Sequence, residues 1–249
     1  MYGKSRPLFA AAFACLLFGG CASVPQQKLD ARADLKSKTV VVMPVGIPKD
    51  ATVNLVSSSA DSFGAVGALI EGGILAKHVK DLAGLLESQK FDFHAEVSND
   101  VVQTAQKSAA KIVVVDSTNV GAERTKWVSP VPVTSGADAY LDVYLTTFGY
   151  VAKGDKFPYV PSVDLWARIT DASGKQLFLT HILYNPDLDY IRTSQGPKIT
   201  PDAQYQFASM DAIKANPEKA VAGLKAAISV VIRELSDELQ QTASVAQAN

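Results

Sequence analysis

The sequence predicts an α/β (α+β) domain built on a mixed sheet, and three patterns carry this prediction. Short β-branched runs alternate with segments of helical periodicity in the first half of the chain. Period-two alternation follows in the second half and is typical of antiparallel strands. A long amphipathic stripe near the carboxyl terminus predicts a helix packed on one face of the sheet. With 249 residues, 47% of them hydrophobic, the chain can bury one substantial core.

The first half is predicted to form a β-α-β-α-β unit. Residues 38–45 (KTVVVMPV) read as a buried strand, and leucines at helical spacing predict a helix over 62–89. Asp100 or Asn99 can cap a second helix, which precedes a second short buried strand at 111–116. Three connections look long for a compact domain: 46–62, 117–137 and 185–201.

The second half is predicted to form an antiparallel meander followed by a helix. Its strands are expected at 139–151, 162–170 and 175–184. Asp171 and Gly174 suit the tight turn between the last two strands, because Asp bonds turn backbone and Gly tolerates positive φ. Asn216 and Pro217 mark the start of the long C-terminal helix. Its apolar stripe comprises Val221, Leu224, Ile228, Val231, Leu235 and Leu239.

This order of elements resembles a small domain found in several bacterial envelope proteins. The resemblance rests on the opening Lys38–Pro44 (KTVVVMP) and on the hairpin Val163–Phe178 (VDLWARITDASGKQLF). Similar domains occur in three groups of proteins. They are the amino-terminal part of the Tol system's β-propeller protein, the penicillin-binding-protein activator lipoproteins and the curli-secretion lipoprotein. The resemblance covers residues 38–240 and implies a periplasmic domain in envelope assembly, secretion or maintenance.

The amino terminus has the anatomy of a signal peptide. Lys4 and Arg6 precede fourteen apolar residues, 7–20. A transmembrane helix needs about 20 apolar residues to cross the hydrocarbon core, so this run is too short to span the membrane permanently. The sequence Phe18-Gly19-Gly20-Cys21 resembles the lipobox of bacterial lipoproteins, in which the cysteine receives a lipid. This similarity predicts cleavage before Cys21 and its acylation. The alternative is ordinary signal-peptidase cleavage after Ala22.

These features predict the division of the chain and its location. Residues 1–20 form the signal peptide, 21–37 the lipidated N-terminus and a flexible tether, 38–241 the periplasmic domain and 242–249 a disordered tail. Ala22 and Ser23 after the cysteine resemble the outer-membrane sorting pattern of enteric bacteria. We therefore expect a palmitate-bearing anchor on the periplasmic face of the outer membrane, since several acyl chains make a stable anchor.

Composition and motifs argue against several kinds of chemistry. Removal of residues 1–20 leaves 22 basic and 25 acidic residues, so no basic field for nucleic acid is expected. No nucleotide-binding loop or serine-hydrolase motif is present, and the three histidines lack metal-binding spacing. Cys15 and Cys21 are the only cysteines. We therefore predict no cofactor, no metal site and no catalytic residues, and we interpret His181 as an ordinary strand residue.

One face of the predicted sheet is a candidate partner-binding surface. Alternation directs one set of side chains to the helices and leaves aromatic and charged residues on the other face. The candidates on that face are Tyr140, Tyr144, Trp166, Arg168 and Phe178. Alternatively, the segment 117–137 or the segment 185–201 of the same chain covers them.

A second candidate is a ridge of small residues along the first helix, at Gly64, Ala68, Gly72 and Ala76. Such a ridge allows close approach of another backbone. It could serve self-association or membrane contact, or it could let the helix lie tightly on its own sheet.

Three functions follow from these observations. The leading hypothesis is a non-enzymatic outer-membrane lipoprotein whose domain binds an envelope protein, or itself as a homo-oligomer. The alternatives are a subunit of an oligomeric secretion pore and a hydrolase that acts on cell-wall material.

Overall fold

The computed structural model describes residues 26–29, 34–57, 64–116, 121–190 and 195–245. The predicted signal peptide, Cys21 and the last residues of the predicted tail lie outside these ranges. No helix in the described ranges is long and apolar enough to span a bilayer.

A seven-stranded mixed sheet forms the centre of the domain. Its strands are β1 (Thr39–Val42), β2 (Thr52–Ser57), β3 (Lys111–Val114), β4 (Ala139–Gly154), β5 (Tyr159–Asp171), β6 (Gln176–Tyr184) and β7 (Lys198–Ile199). The spatial order is β3-β1-β4-β5-β6-β7, and β2 pairs with the second half of β4. The β4–β5–β6 meander is antiparallel, whereas β1 pairs in parallel with β3 and β4. The predicted mixed sheet is therefore confirmed.

The described residues form four α-helices beside the sheet: α1 (Gly64–Ser88), α2 (Phe93–Ser108), α3 (Met210–Lys214) and α4 (Pro217–Val245). The apolar stripe of α4 is buried against the sheet, where Leu224, Ile228 and Leu235 are at most 2% exposed. Each such side chain contributes about 1.5–3 kcal/mol when fully buried. The predicted C-terminal helix on one face of the sheet is confirmed.

Two details of the first half differ from the predicted β-α-β-α-β order. No strand separates α1 from α2, and β2 lies in the segment 46–62 that looked like a long connection. The second helix also begins earlier than predicted. Asp92 caps it by accepting a hydrogen bond from the Ala95 N–H at 3.0 Å, so the expected cap at Asn99 or Asp100 was wrong.

The face assignment of β6 was also wrong. The register shifts between Ile169 and Thr170, and Phe178 lies opposite Ile169 on the helix-facing side. A shift of one residue moves every side chain of a strand to the opposite face. Phe178 therefore belongs to the main core, together with Ile182 and Tyr184 of the same strand, and not to the candidate binding face.

Candidate functional site

The face of the sheet opposite the helices is covered by residues 121–137, which we call the strap. Asp142, only 2% exposed, holds it in place from β4. Its carboxylate accepts hydrogen bonds from Arg124 Nη2 at 2.7 Å, Arg168 Nη2 at 3.2 Å and the Val128 N–H at 2.8 Å. Arg124 also donates to the Pro44 carbonyl oxygen at 2.6 Å. One buried carboxylate thus joins two arginines and the strap backbone to the sheet.

Trp127 of the strap packs against two aromatic side chains of the sheet, Tyr144 and Trp166. The rings of Tyr144 and Trp166 are parallel, with centroids 6.1 Å apart, and Trp127 meets each of them edge-on at 4.5 Å and 6.4 Å. The Arg168 guanidinium lies over the Trp127 ring at 4.6 Å. These contacts exclude water from the centre of the face.

The predicted binding face is therefore mostly closed by the chain itself. Tyr140, Tyr144 and Trp166 are each 5–6% exposed, and 18% of the Arg168 side chain is exposed. Phe178 lies on the helix side at 1% exposure. The structure thus shows the alternative arrangement, with a cover supplied by residues 121–137 of the predicted segment 117–137.

Beside the strap, part of the same face remains accessible as a cleft of about 360 Å³. Tyr144 and Trp166 of the predicted face line this cleft. Its other lining residues are Thr52 and Asn54 of β2, Thr125 of the strap, Thr146, Thr147 and Val151 of β4, Asp164 of β5, His181 of β6, and Leu188. The strap, three sheet strands and the edge strand β2 therefore converge on one polar cavity.

An Asp–His pair lies in this cleft. Nε2 of His181 is 2.8 Å from Oδ1 of Asp164, and the His181 side chain is 6% exposed. The imidazole stacks on the Trp166 ring with centroids 3.9 Å apart and planes 14° apart. Hydrogen bonding and stacking together fix the orientation of the ring. A pair of this kind can bind a polar ligand or transfer a proton.

A β-bulge shapes the cleft. Leu145 and Thr147 of β4 pair with the consecutive residues Leu165 and Asp164 of β5, so Thr146 is an extra residue. Bulges redirect side chains, and both Thr146 and Thr147 line the cleft. The irregular strand thus adds two neighbouring hydroxyl groups beside the Asp164 carboxylate.

The other candidate residues lie elsewhere. Gly72 and Ala76 are exposed on α1, and an added Cβ at Gly72 would meet nothing within 4 Å. Gly64 and Ala68 lie in α1, and Cys21 lies outside the described residues. At Gly72 and Ala76 the ridge does not pack on the sheet.

No group of three or more His, Cys, Asp or Glu side chains that could hold a metal ion occurs among the described residues. The polar contents of the cleft are instead hydroxyls, one amide and the Asp164–His181 pair. Sequence reasoning did not identify this pair, because its members lie 17 positions apart on adjacent strands.

No protein-family model and no curated protein sequence matches this chain. Three solved structures are similar in part. The protein XCC0632 from Xanthomonas campestris, of the family DUF330, has 10% identity and a TM-score of 0.41, with 91% of this chain and 97% of that chain covered. The hypothetical protein CT253 from Chlamydia trachomatis has 10% identity and a TM-score of 0.34, covering 82% and 98%. The lipoprotein GNA1162 from Neisseria meningitidis has 21% identity and a TM-score of 0.25, covering 59% and 81%.

Proposed function

We propose that this chain is a lipid-anchored protein of the bacterial outer membrane whose periplasmic domain binds a partner polypeptide at the cleft. The cleft carries the proposal, because it is the accessible part of the aromatic face and gathers hydrogen-bonding groups from several elements. A concave shape and convergent polar groups beside aromatic side chains are typical of binding sites. The lipobox-like sequence that ends at Cys21 supports the anchor.

The anchor is tested by mass spectrometry of the mature protein extracted from membranes. We expect a chain that begins at Cys21 and carries fatty acyl groups, and we expect a Cys21→Ser variant to lack them. A mature chain that begins at Ser23 without lipid would contradict the anchor.

The binding site is tested by placing a photo-crosslinking amino acid at Thr125, on the exposed part of the strap beside the cleft. The control position is Ser229, which is exposed on α4 in the helix layer. We expect a defined protein adduct from Thr125 and none from Ser229. An Asp164→Asn substitution should reduce the Thr125 adduct. The same adduct from both positions, insensitive to Asp164→Asn, would contradict binding at the cleft.

A cell-wall hydrolase is a second candidate, favoured by the imidazole–carboxylate pair beside the Thr146 and Thr147 hydroxyls. Incubation of the purified protein with peptidoglycan tests it. Released fragments that disappear with His181→Gln would support hydrolysis, whereas no release would leave binding as the function.

A further inference from the structure

The charge inside the cleft points to the ligand. Asp164 and His181 are the only Asp, Glu, Lys, Arg or His side chains among the lining residues. Within the described ranges, His181 is also the only side chain bonded to the Asp164 carboxylate, and it contacts Oδ1. The cleft therefore presents one carboxylate, and no lysine or arginine is among its lining residues.

The surrounding groups add hydrogen-bond acceptors. The threonine hydroxyls of residues 52, 125, 146 and 147 line the same space. A hydroxyl oxygen carries two lone pairs, and an ammonium or guanidinium group has only donors. A desolvated cation needs both a counter-charge and acceptors for its N–H groups, and this lining supplies both.

We propose that the cleft binds a cationic nitrogen group of the partner polypeptide, such as a lysine ammonium, an arginine guanidinium or an N-terminal amine. This inference rests on the proposed binding function. A volume of about 360 Å³ lies near the lower end of the range of about 300–1,000 Å³ for ligand pockets, so it suits one side chain better than a folded segment. Asp164 provides the counter-charge, and the threonines of the bulge provide acceptors.

The two tryptophans of the chain provide a direct readout. Trp166 lines the cleft and Trp127 packs edge-on against it, so both report on this region. The full-length lipoprotein, labelled with 5-fluorotryptophan and held in detergent, is titrated with Nα-acetyl-lysine amide and followed by ¹⁹F NMR. A Trp127→Phe variant assigns the two resonances. Parallel titrations use Nα-acetyl-arginine amide, glycine amide and the neutral Nα-acetyl-norleucine amide.

We expect a saturable shift with at least one cationic probe and none with the norleucine probe. Comparison of the three cationic probes identifies the source of the charge. Asp164→Asn should weaken binding about tenfold or more, because the amide lacks the negative charge that attracts the cation. Asp237→Asn should leave binding unchanged, since Asp237 is exposed on α4 in the helix layer.

Equal shifts with the norleucine probe, no shift with any cationic probe, or an unchanged affinity in Asp164→Asn would overturn the inference. These outcomes are separate from the proposed function. If the Thr125 adduct still depends on the cleft while the cationic probes fail, the domain binds a partner through other chemistry.

Discussion

At the scale of single residues, Asp142 has the largest expected effect on stability. It is the only carboxylate in the described ranges that pairs with Arg124 and Arg168. Asp142→Ala would leave two poorly exposed guanidinium groups without their counter-charge. Loss of one partner of a buried ion pair costs about 3–5 kcal/mol, so we expect a loss of this size in the free energy of unfolding. Urea denaturation followed by circular dichroism measures it.

The matched control for Asp142 is an exposed ion pair. Asp187 lies 3.5 Å from Lys153, and both side chains are more than a third exposed. Exposed pairs contribute about 0–1 kcal/mol, so Asp187→Ala should change stability little. Equal losses in the two variants would show that the Asp142 network is not a special source of stability.

Glu238 predicts a pH dependence of stability. Burial raises the pKa of its carboxyl above the ordinary value of 4.5, while hydrogen bonds from Thr180 and Gln26 oppose that shift. A raised folded-state pKa means that protonation favours the folded state. Its stabilising contribution is full below the unfolded pKa and is lost as pH rises through the folded pKa.

We therefore expect Glu238→Gln to flatten the decline in stability as pH rises from about 4.5 towards 7, because the amide cannot ionise. The comparison is the urea midpoint of the two proteins across this range. Glu87→Gln, at an exposed site on α1, should keep the original pH profile. A Glu238→Gln profile that overlays the original would contradict the assignment.

At the scale of elements, Gly46 determines how closely the strap can approach the sheet. A Cβ at Gly46 would lie 2.5 Å from Cγ of Arg124 and 2.7 Å from its carbonyl oxygen. Gly46→Ala should therefore displace the strap, destabilise the protein and make the strap easier to cleave. Limited proteolysis with mapping of the cut sites measures this.

Gly84 provides the opposite case. It is exposed inside α1, and an added Cβ would meet nothing within 4 Å. Alanine is favoured over glycine inside helices by about 1 kcal/mol, so Gly84→Ala should stabilise the protein and leave the strap protected. If Gly46→Ala leaves the rate of strap cleavage unchanged, the close approach of Arg124 to Gly46 does not hold the strap on the sheet.

Local periodicity predicted those elements whose burial pattern is regular. The α4 stripe and the β5–β6 hairpin are examples, because their side chains repeat at helix or strand spacing. β2 was missed because its sequence TVNLVS follows a Pro- and Gly-containing stretch and is stabilised by pairing with distant residues of β4. The face of β6 was misassigned because a register shift beside a turn leaves no mark on the alternation itself.

The cleft could be predicted only in fragments. Tyr144 and Trp166 were identified from alternation, and the strap segment was a stated alternative cover. Asp164 and His181 meet only because of the β5–β6 register, in which His181 lies opposite Trp166. The bulge at Thr146 depends on the pairing of β4 with β5, which the sequence of β4 alone does not reveal.

At the scale of the whole molecule, the attachment point determines which end of the domain faces the membrane. Gln27 pairs with Leu179 on β6, and its side chain bonds Gln176 near the β5–β6 turn. Residues 26–29 and 34–37 of the predicted tether, 21–37, lie within the described domain and therefore have little freedom to extend. Five residue steps from Cys21 to Gln26 span at most about 17 Å.

If Cys21 carries the lipid, we expect the β5–β6 turn to lie nearer the bilayer than the β4–β5 turn, because Gln26 contacts Thr180, which pairs with Ala167 nearer the β5–β6 end of β5. The 13 residues of β5 separate these turns by about 40 Å. We expect a donor dye at Ser173→Cys to transfer energy strongly to an acceptor on lipid headgroups in reconstituted vesicles, and a dye at Lys156→Cys to transfer weakly. Both sites are exposed, and the described part of the chain contains no other cysteine for the dye. Ten Gly/Ser residues inserted after Pro25 should reduce the difference, because the longer tether lets the domain reorient. Equal transfer from both sites with the natural tether would contradict a fixed, membrane-proximal orientation.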